Sequence, residues 1–337
     1  MREVLGQAAA GRASGTALMS TDFTPLGLVV GHATDADGAT GCTVVRRADG
    51  PMRCSAALIG RASGSRELAV ASPDHLVDRV DAVLLTGGSA YGLDSAAGVM
   101  RWMEEKERGA RIAGGVIPLV PAAVIFDLAP LGSFKARPTP DMAYAACDQA
   151  TSMIVEGSVG AGTGATVGKA ATGARAMKGG IGGWTVQSGE LVVGAIAVVN
   201  AFGDVRDGAG KIIAGARGDS GFLDATALLS GGAPRRGDES GAMGNTTIAV
   251  VATNALMSRV ELQQLARATS AAFYRRITPC GTSYDGDTIF AVCPLEGITA
   301  SQIAVEVLAV TAMEMAIERA VRMARGRDGV PGLADGR

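Results

Sequence analysis

The chain has 337 residues, of which 47% are hydrophobic and 19% are charged, a composition typical of a globular protein with a sizeable core. Its formal net charge is −2, from 31 basic and 33 acidic residues, and only 4% of its residues are aromatic. Proteins that bind nucleic acid need a basic surface, and those that bind single strands also need aromatic side chains for base stacking. We therefore expect no nucleic acid partner.

No segment reaches the roughly 18 consecutive apolar residues of a membrane-spanning helix, and the amino-terminal segment lacks the apolar stretch of a signal peptide. We therefore expect a cytoplasmic protein without a membrane partner. The 5 cysteines are widely spaced and odd in number, which favours buried free thiols over disulfides.

Histidine is scarce, since only His32 and His75 occur, and neither has a second soft ligand close to it in the sequence. A zinc site or a Ser-His-Asp triad would have to use one of these two residues. The sequence therefore suggests no metal and no organic cofactor. A hydrolase built from it would need a general base other than histidine.

Six strands are predicted from runs rich in Val, Ile and Ala, with many of the 48 glycines in the turns between elements. In chain order, the predicted strands are Thr43–Arg46, Ala56–Ile59, Ala82–Leu85, Leu191–Val199, Thr246–Thr253 and Thr288–Cys293.

Four helices are predicted from capping residues and from the spacing of apolar side chains. In chain order, they run from a Ser89 cap to about Glu107, from an Asp141 cap through Ala150, from a Ser258 and Glu261 capping box to about Arg276, and from Thr299 and Gln302 to about Met323. This pattern predicts an α+β fold with helices outside the sheet. The segment Gly208–Asn245 and the tail after Arg325 lack periodicity, and both are expected to be mobile.

The segment GTGATVGKA, Gly162 to Ala170, resembles a phosphate-binding loop because it is rich in glycine and contains Gly-Lys. A P-loop needs four residues between its glycines and a Ser or Thr after the lysine. Here Gly162 and Gly164 both have the wrong spacing to Gly168, and Ala170 follows the lysine. The sequence therefore disfavours a nucleotide site and leaves Lys169 in a loop whose backbone can approach a substrate closely.

Two further segments lie where a predicted strand meets a loop. TGGSAYGLD, Thr86 to Asp94, is favoured as a strand-turn-helix connection, although the N–H groups of a helix amino end can also bind an anion. DGD places Asp285 and Asp287 two residues apart, so that period-two alternation sends both carboxylates to one face. They are either a solvated turn or a pair that orients a group on a neighbouring strand.

The stretch GAMGNTTIAVVATN, Gly241 to Asn254, passes from a loop of small residues into a predicted strand at Thr246. One interpretation is an ordinary loop that enters a sheet. The other is self-cleavage, in which the Thr246 hydroxyl attacks the Asn245 carbonyl and water then releases a chain that begins with Thr246. The new α-amine, with a usual pKa of about 7.7–8.0, would deprotonate the Thr246 hydroxyl without any histidine.

Five motifs, in this order, resemble those of one family of self-processing peptidases. They are GGSAYGLD (Gly87–Asp94), GAGTGATVGK (Gly160–Lys169), AVVNAFGDV (Ala197–Val205), GNTTIAVVATN (Gly244–Asn254) and DGDTIFAV (Asp285–Val292). The family contains the L-aminopeptidase/D-esterases, the β-aminopeptidases and the 6-aminohexanoate-oligomer (nylon-oligomer) hydrolases. The resemblance spans Thr24 to Met323.

The resemblance implies a four-layer αββα sandwich of the N-terminal-nucleophile-hydrolase type, with residues 1–337 in one catalytic domain. Cleavage between Asn245 and Thr246 would give an α chain, 1–245, and a β chain, 246–337, associated as αβ heterodimers in a tetramer. The resemblance also implies the catalytic roles. Thr246 would be the nucleophile, Asn200 would belong to the oxyanion hole, Lys169 would neighbour Thr246, and Asp285 and Asp287 would orient its amine.

Candidate substrate-binding residues also follow from the resemblance. Thr246, the DGD pair and AVIFD (Ala123–Asp127) are similar to the nylon-oligomer hydrolases, which have a Tyr at the position of Phe126. The β-aminopeptidases have a Glu in this neighbourhood that holds the substrate amine, a role for which Asp127 is the candidate here. We therefore expect Tyr91, Phe126 and Asp127 to contact substrate.

The function implied is an autoprocessing amide hydrolase that forms an acyl-enzyme on Thr246. Its substrates would be small peptides with a free amino end, or linear amides of ω-amino acids such as 6-aminohexanoate oligomers. Two alternatives stay open. One is an N-acyltransferase of the ornithine acetyltransferase type, which also cleaves itself before a Thr. The other is a non-catalytic oligomeric binding protein.

Overall fold

The computed structural model describes residues 18–171, 175–231 and 244–336, without the side chains of residues 18–20. The strands are, in chain order, β1 (Leu18–Ser20), β2 (Leu28–Asp35), β3 (Thr40–Arg47), β4 (Arg53–Leu58), β5 (Ser65–Arg66), β6 (Ala82–Thr86), β7 (Ala110–Ile112), β8 (Gly115–Ile117), β9 (Ala122–Val124), β10 (Thr166–Val167), β11 (Met177–Lys178), β12 (Gly180–Ser188), β13 (Leu191–Asn200), β14 (Asp204–Arg206), β15 (Ile212–Ala214), β16 (Arg217–Gly218), β17 (Gly221–Phe222), β18 (Thr246–Thr253), β19 (Ile277–Thr278) and β20 (Thr288–Cys293). The α-helices are α1 (Ala96–Glu105), α2 (Pro140–Asp148), α3 (Ala225–Ser230), α4 (Arg259–Arg276) and α5 (Gln302–Arg322). All six strands predicted from the sequence are present. The bounds of β18 and β20 are as predicted, and those of the other four differ by at most three residues at either end.

Two larger sheets organise these elements. One has the strand order β1-β12-β13-β18-β20-β4, and the other has the order β2-β3-β6-β9-β5. Most neighbours are antiparallel, but β18 and β20 pair in parallel, as do β6 and β9. The strands β18 and β20 therefore begin at the same edge of their sheet, which brings Thr246 and the DGD segment together.

Three large apolar cores hold the helices and sheets together. The first packs Phe273 of α4 and Met313 of α5 against one face of the six-stranded sheet. The second lies between the two sheets and joins Phe290 to Leu85. The third packs α1 and α2, with Trp102 at its edge, against the five-stranded sheet.

Strand β13 is buried along its whole length because it lies inside the six-stranded sheet, with a core on each face. Val193 and Val199 belong to the core on the helix side, whereas Val192 and Val198 belong to the core between the sheets. This is the period-two alternation of a strand, and each buried Val contributes about 1.5–3 kcal/mol. Strand β18 is buried in the same way, so its first residue, Thr246, is held in place by both cores.

The capping box of α4 is confirmed, since the Ser258 hydroxyl accepts from the Glu261 N–H and the Glu261 carboxylate accepts from the Ser258 N–H. The other predicted caps are wrong. Residues Ser89–Ser95 form a 3-10 helix before α1, and Ser89 itself has a φ of 53°, which is incompatible with an N-cap.

The starts of α2 and α5 also differ from the predictions. Pro140 occupies the first turn of α2, so the cap falls on Thr139 and Asp141 lies inside the first turn. The last helix begins at Gln302 with Ser301 as its N-cap, two residues after the predicted Thr299.

The segments expected to be mobile contain ordered structure. Strands β15 to β17 and α3 occupy much of the predicted loop, whose residues 232–243 lie outside the described residues. In the tail, Asp335 accepts from the N–H groups of Gly326 and Gly332, and Val330 packs on Leu131. Low periodicity misled the prediction because turn hydrogen bonds, and not an amphipathic face, order these segments. In the described part of the chain, no helix has the length and apolar character needed to cross a membrane.

Candidate active site

The amino end of β18 is the point where the predicted catalytic residues meet. Thr246 lies opposite Asn200 in the antiparallel register of β13 and β18. On the other side, Asn245 forms a parallel bridge with Asp285, which precedes β20. The order of three adjacent strands therefore brings together residues that lie up to 85 positions apart in the chain.

The peptide bond between Asn245 and Thr246 is flanked by a nucleophile and a hydrogen-bond donor. The Thr246 hydroxyl donates to the Asn245 carbonyl oxygen, with 2.5 Å between the oxygens. The Gly286 N–H donates to the same carbonyl oxygen over 2.9 Å, a distance suited to stabilising negative charge on it. A Cβ at position 286 would lie 2.8 Å from Thr246 Oγ1, so glycine permits this close approach.

The amide of Asn200 has its orientation fixed by two donors. Its Oδ1 accepts from the Thr166 N–H over 3.0 Å and from Lys169 Nζ over 2.9 Å. Because both neighbours donate, the other amide atom must be the nitrogen. This Nδ2 donates to the Gly244 carbonyl over 3.0 Å and to the Phe126 carbonyl over 3.1 Å.

Lys169 contacts the segment before the predicted cut. Its Nζ donates to the Gly244 carbonyl over 2.8 Å and to the backbone carbonyl of Asn200 over 3.0 Å. Burial lowers the pKa of Lys169 to about 7, although the nearby Asp285 and other carboxylates oppose this shift. Charged and neutral forms of Lys169 therefore coexist near neutral pH. The hydrogen bond to the Gly244 carbonyl connects Lys169 to the segment that leads to Thr246.

The two aspartates of the DGD segment are buried and hydrogen-bonded. Asp287 Oδ1 accepts from the Thr247 N–H over 2.6 Å, and its Oδ2 accepts from the Cys280 thiol over 3.2 Å. Asp285 Oδ2 accepts from the N–H and the hydroxyl of Thr282. Burial raises the pKa of both carboxyls, that of Asp287 to about 7 with a further contribution from Asp285. This is the environment of proton-exchanging groups, and not of a solvated turn.

A cavity of about 440 Å³ opens beside Thr246, a size suited to a small ligand. The described residues that line it are Ala62, Ser63, Gly64, Ser89, Ala90, Val124, Phe126, Gly244, Asn245, Thr246, Ser283 and Tyr284. The surface they form combines apolar carbon with hydroxyl groups.

Of the three candidate substrate-binding residues, only Phe126 lines this cavity. The Asp127 carboxylate is buried, where it accepts from the Thr40 hydroxyl over 2.7 Å and from the Gly88 N–H over 2.6 Å. Burial raises the pKa of Asp127 to about 6, against the effect of these two hydrogen bonds. Tyr91 is 55% exposed, with the guanidinium carbon of Arg137 3.5 Å from its ring centroid.

Sequence reasoning did not identify several residues at this site. The backbone donors Gly286 and Thr166 carry no signal in their side chains, and only the glycine inside DGD indicates a close approach. Ser283 and Tyr284 were also not singled out, although they immediately precede the DGD segment and line the cavity. Cys280 could not be connected to Asp287 without the turn that joins them.

The chain is similar to one family of known proteins over most of its length. The model of peptidase family S58 matches residues 21–332. An uncharacterized aminopeptidase of Mycobacterium leprae (strain TN) is 42% identical over 291 residues, which cover 79% of this chain and 76% of the relative. A 6-aminohexanoate-oligomer endohydrolase of Paenarthrobacter ureafaciens is 31% identical over 297 residues, which cover 83% of this chain and 76% of the relative.

Solved structures share the fold at low sequence identity. The L-aminopeptidase D-Ala-esterase/amidase of Ochrobactrum anthropi, described as a variant of the Ntn (N-terminal nucleophile) hydrolase fold, superposes with a TM-score of 0.70 at 19% identity. The superposition covers 95% of this chain and 93% of that chain. The chain therefore has an Ntn-hydrolase-like fold. The comparisons favour amide hydrolysis over acyl transfer and over a non-catalytic binding role.

Proposed function

The chain belongs to peptidase family S58 and is a hydrolase of peptide or amide bonds, and from this premise we propose that it matures by cutting itself before Thr246. The membership confirms the resemblance carried by its five motifs. One observation above all supports the proposed cut. The Thr246 hydroxyl lies 2.5 Å from the Asn245 carbonyl oxygen, and the Gly286 N–H donates to that oxygen from 2.9 Å.

The proposed cut proceeds in two steps. Thr246 Oγ1 bonds to the carbonyl carbon of Asn245, the carbon–nitrogen bond breaks, and the hydroxyl proton ends on the Thr246 nitrogen. The product is an ester of the same composition. Water then adds to the ester, leaving a carboxylic acid on Asn245 and a free hydroxyl and α-amine on Thr246.

The mature site would use the freed groups on a substrate. The Thr246 α-amine, with a usual pKa of about 7.7–8.0, takes the proton from Oγ1 as this oxygen attacks the substrate carbonyl. Asn200 Nδ2 and Lys169 Nζ, which both donate to Gly244 in the uncut chain, then stabilise the substrate oxyanion. The amine product leaves with the proton, and water resolves the acyl-enzyme on Thr246. Asp285 and Asp287 orient the α-amine.

We propose small substrates, either peptides with a free amino end or linear amides of ω-amino acids such as 6-aminohexanoate oligomers. Both kinds agree with the relatives, one an aminopeptidase and the other a 6-aminohexanoate-oligomer endohydrolase, and a cavity of about 440 Å³ suits a short chain. The apolar ring of Phe126 and the hydroxyls of Ser63 and Ser283 would contact the acyl part of the substrate.

The proposed architecture is the four-layer αββα sandwich, as one catalytic domain in the cytoplasm. Apolar cores on both faces of each sheet support this layering. After the cut, residues 1–245 and 246–337 would stay together because β18 and β20 lie inside a sheet that both parts build. We further propose that these αβ heterodimers assemble into tetramers.

A denaturing gel with intact mass measurement tests the proposed cut. The expected fragments have 245 residues and the remaining 92 of the 337, about 25 and 9 kDa when the 33.9 kDa mass is divided by length. A Thr246→Ala variant should remain whole and inactive, whereas Thr246→Ser keeps a hydroxyl and should still be cut. A wild-type chain that stays whole and yet hydrolyses an aminohexanoate dimer or a dipeptide amide would overturn the proposal.

A further inference from the structure

A second lysine lies behind the glycine-rich loop and has no part in the proposed catalytic mechanism. Lys178 of β11 is fully buried. Its Nζ donates to three backbone carbonyls, those of Ala165 over 2.7 Å, Thr163 over 2.8 Å and Gly162 over 3.4 Å. The Lys178 amino group thus binds three backbone carbonyls of the turn that begins the loop.

This turn leads directly to the two groups that hold Asn200. Thr166 pairs with Lys178 in the register of β10 and β11, and its N–H donates to Asn200 Oδ1 over 3.0 Å. Three residues later, Lys169 Nζ donates to the same oxygen over 2.9 Å. The path of the loop therefore decides which way the Asn200 amide faces.

We propose that Lys178 is a positioning residue for the hydrolysis reaction, which fixes the glycine-rich loop so that Asn200 presents its Nδ2 to the carbonyl oxygen of the bound substrate. The inference rests on the proposed function. It assigns to Lys178 an effect on the rate of the chemical step, exerted through Asn200 and without contact with the substrate.

The buried charge supports a role beyond packing. Moving an ammonium out of water carries a large desolvation penalty, and an apolar side chain of similar length would fill the same space. Burial lowers the pKa of Lys178 to about 7; Arg327 adds to this shift, whereas Asp127 and Asp328 oppose it. The Lys178 ammonium supplies three donors on a single atom, one for each of the three carbonyls, and an apolar side chain supplies none.

The carboxyl-terminal tail is hydrogen-bonded to the backbone of this lysine. The Lys178 N–H donates to the Pro331 carbonyl over 2.8 Å, and Arg327 of the same tail donates to the Ala36 carbonyl. The proposed β chain thus contributes a backbone acceptor for the Lys178 N–H, whereas the loop that Lys178 holds belongs to the proposed α chain.

A double-mutant cycle tests the proposal on processed enzyme, with kcat expressed per free Thr246 amino terminus. Loss of one oxyanion donor lowers kcat by about 10²–10³-fold, so Lys178→Met, which misaligns that donor, should lower kcat by about 10–100-fold with KM changed little. In an Asn200→Ala background the same substitution should cost much less, because its effect passes through Asn200. The exposed Lys211→Met is the matched control and should retain wild-type kcat.

The outcomes separate this proposal from the function on which it rests. A wild type with neither processing nor amide hydrolysis would contradict the function itself. If the wild type is active, the positioning role alone is overturned when Lys178→Met keeps full kcat. It is also overturned when Lys178→Met lowers kcat by the same factor in the wild-type and Asn200→Ala backgrounds. If Lys178→Met does not accumulate as soluble protein, Lys178→Gln, which retains an amide donor, completes the same cycle.

Discussion

Asn200 lies directly opposite Thr246 across β13 and β18, and its Nδ2 donates to the carbonyl of Gly244, 3.0 Å away. Lys169 donates to the same Gly244 oxygen, whereas the next carbonyl, that of Asn245, accepts from Gly286. Two consecutive carbonyls therefore have different donors. Because Gly244 precedes the proposed cut, release of that segment would free Asn200 and Lys169 for a substrate.

Because the Gly244 and Asn245 carbonyls have different donors, we predict that loss of the Asn200 donor lowers the rate of amide hydrolysis more than the rate of self-cleavage. Asn200→Asp keeps the shape and the Oδ1 acceptor but removes the Nδ2 donor. We expect kcat for amide hydrolysis to fall by about 10²–10³-fold, while the half-time of self-cleavage changes far less. Denaturing gels of a time course measure the half-time of self-cleavage, and steady-state kinetics on the same preparation measure kcat. An equal loss in the two reactions would show that they share this donor.

For Gly286 we predict the opposite, that its replacement impairs self-cleavage. A methyl group at this position would lie 2.8 Å from Thr246 Oγ1 and 2.7 Å from the Ala62 carbonyl oxygen. Gly286→Ala must therefore displace the nucleophile, or shift the Gly286 backbone whose N–H donates to the Asn245 carbonyl. We expect the uncut chain to accumulate, as followed by gel. Gly115→Ala is the matched control, because a Cβ there meets nothing within 4 Å, and it should be cut like the wild type. Normal cutting of Gly286→Ala would contradict the proposed geometry.

The sequence predicted the site residues better than their contacts. Runs rich in Val, Ile and Ala identified β13, β18 and β20, and the family motifs pointed to Thr246 and Asn200, which the fold brings opposite each other. The contacts depend on which strands become neighbours. The pairing of β13 with β18 and of β18 with β20 joins residues 40 to 60 positions apart (248 to 288, and 193 to 253), which local patterns do not encode. For this reason Asp127, expected to face a substrate amine, is found bonded to Thr40 and Gly88.

The capping predictions and the tail show a second limit. Ser258 was recognised because both members of a capping box are side chains, whereas Ser89 fails as a cap through its backbone angle. The tail is ordered by the Asp335 carboxylate, which accepts from the Gly326 N–H, and by the Pro331 carbonyl, which accepts from the distant Lys178 N–H. Neither a backbone angle nor a distant backbone partner can be read from residue types, so both were missed for the same reason.

The pH dependence of hydrolysis should reflect two nitrogen groups with opposite requirements. In the proposed mechanism the freed Thr246 α-amine must be neutral, so activity should rise through its usual pKa of about 7.7–8.0. Lys169 is the stronger donor when charged, and burial lowers its pKa to about 7, so its contribution declines above that pH. We expect a narrow bell in kcat/KM against pH.

Replacing Lys169 isolates its part of this profile. Lys169→Met should lower kcat/KM over the whole range and abolish the decline on the alkaline side, leaving only the rise due to the α-amine. Lys211→Met, at an exposed position, should retain the bell. An alkaline decline that persists in Lys169→Met would assign that limb of the profile to another group.

Asp127 should make stability depend on pH, although it is not among the residues that line the cavity beside Thr246. Burial raises its pKa from 3.8 to about 6 in the folded chain. Between these values the folded state binds more protons than the unfolded state, so the contribution of Asp127 to stability falls as pH rises from about 4 to 6. At 1.36 kcal/mol per pKa unit, the loss is at most about 3 kcal/mol.

Asp127→Asn removes this titration and keeps the contacts, since an amide can accept from the Gly88 N–H and donate to the Thr40 hydroxyl. In the uncut Thr246→Ala background, urea unfolding should show that the variant gains up to about 3 kcal/mol relative to its parent between pH 4 and pH 7. The exposed Asp37→Asn serves as the control and should follow the parent. A constant difference between Asp127→Asn and its parent over this range would mean that Asp127 ionises in the folded chain as readily as it does in water.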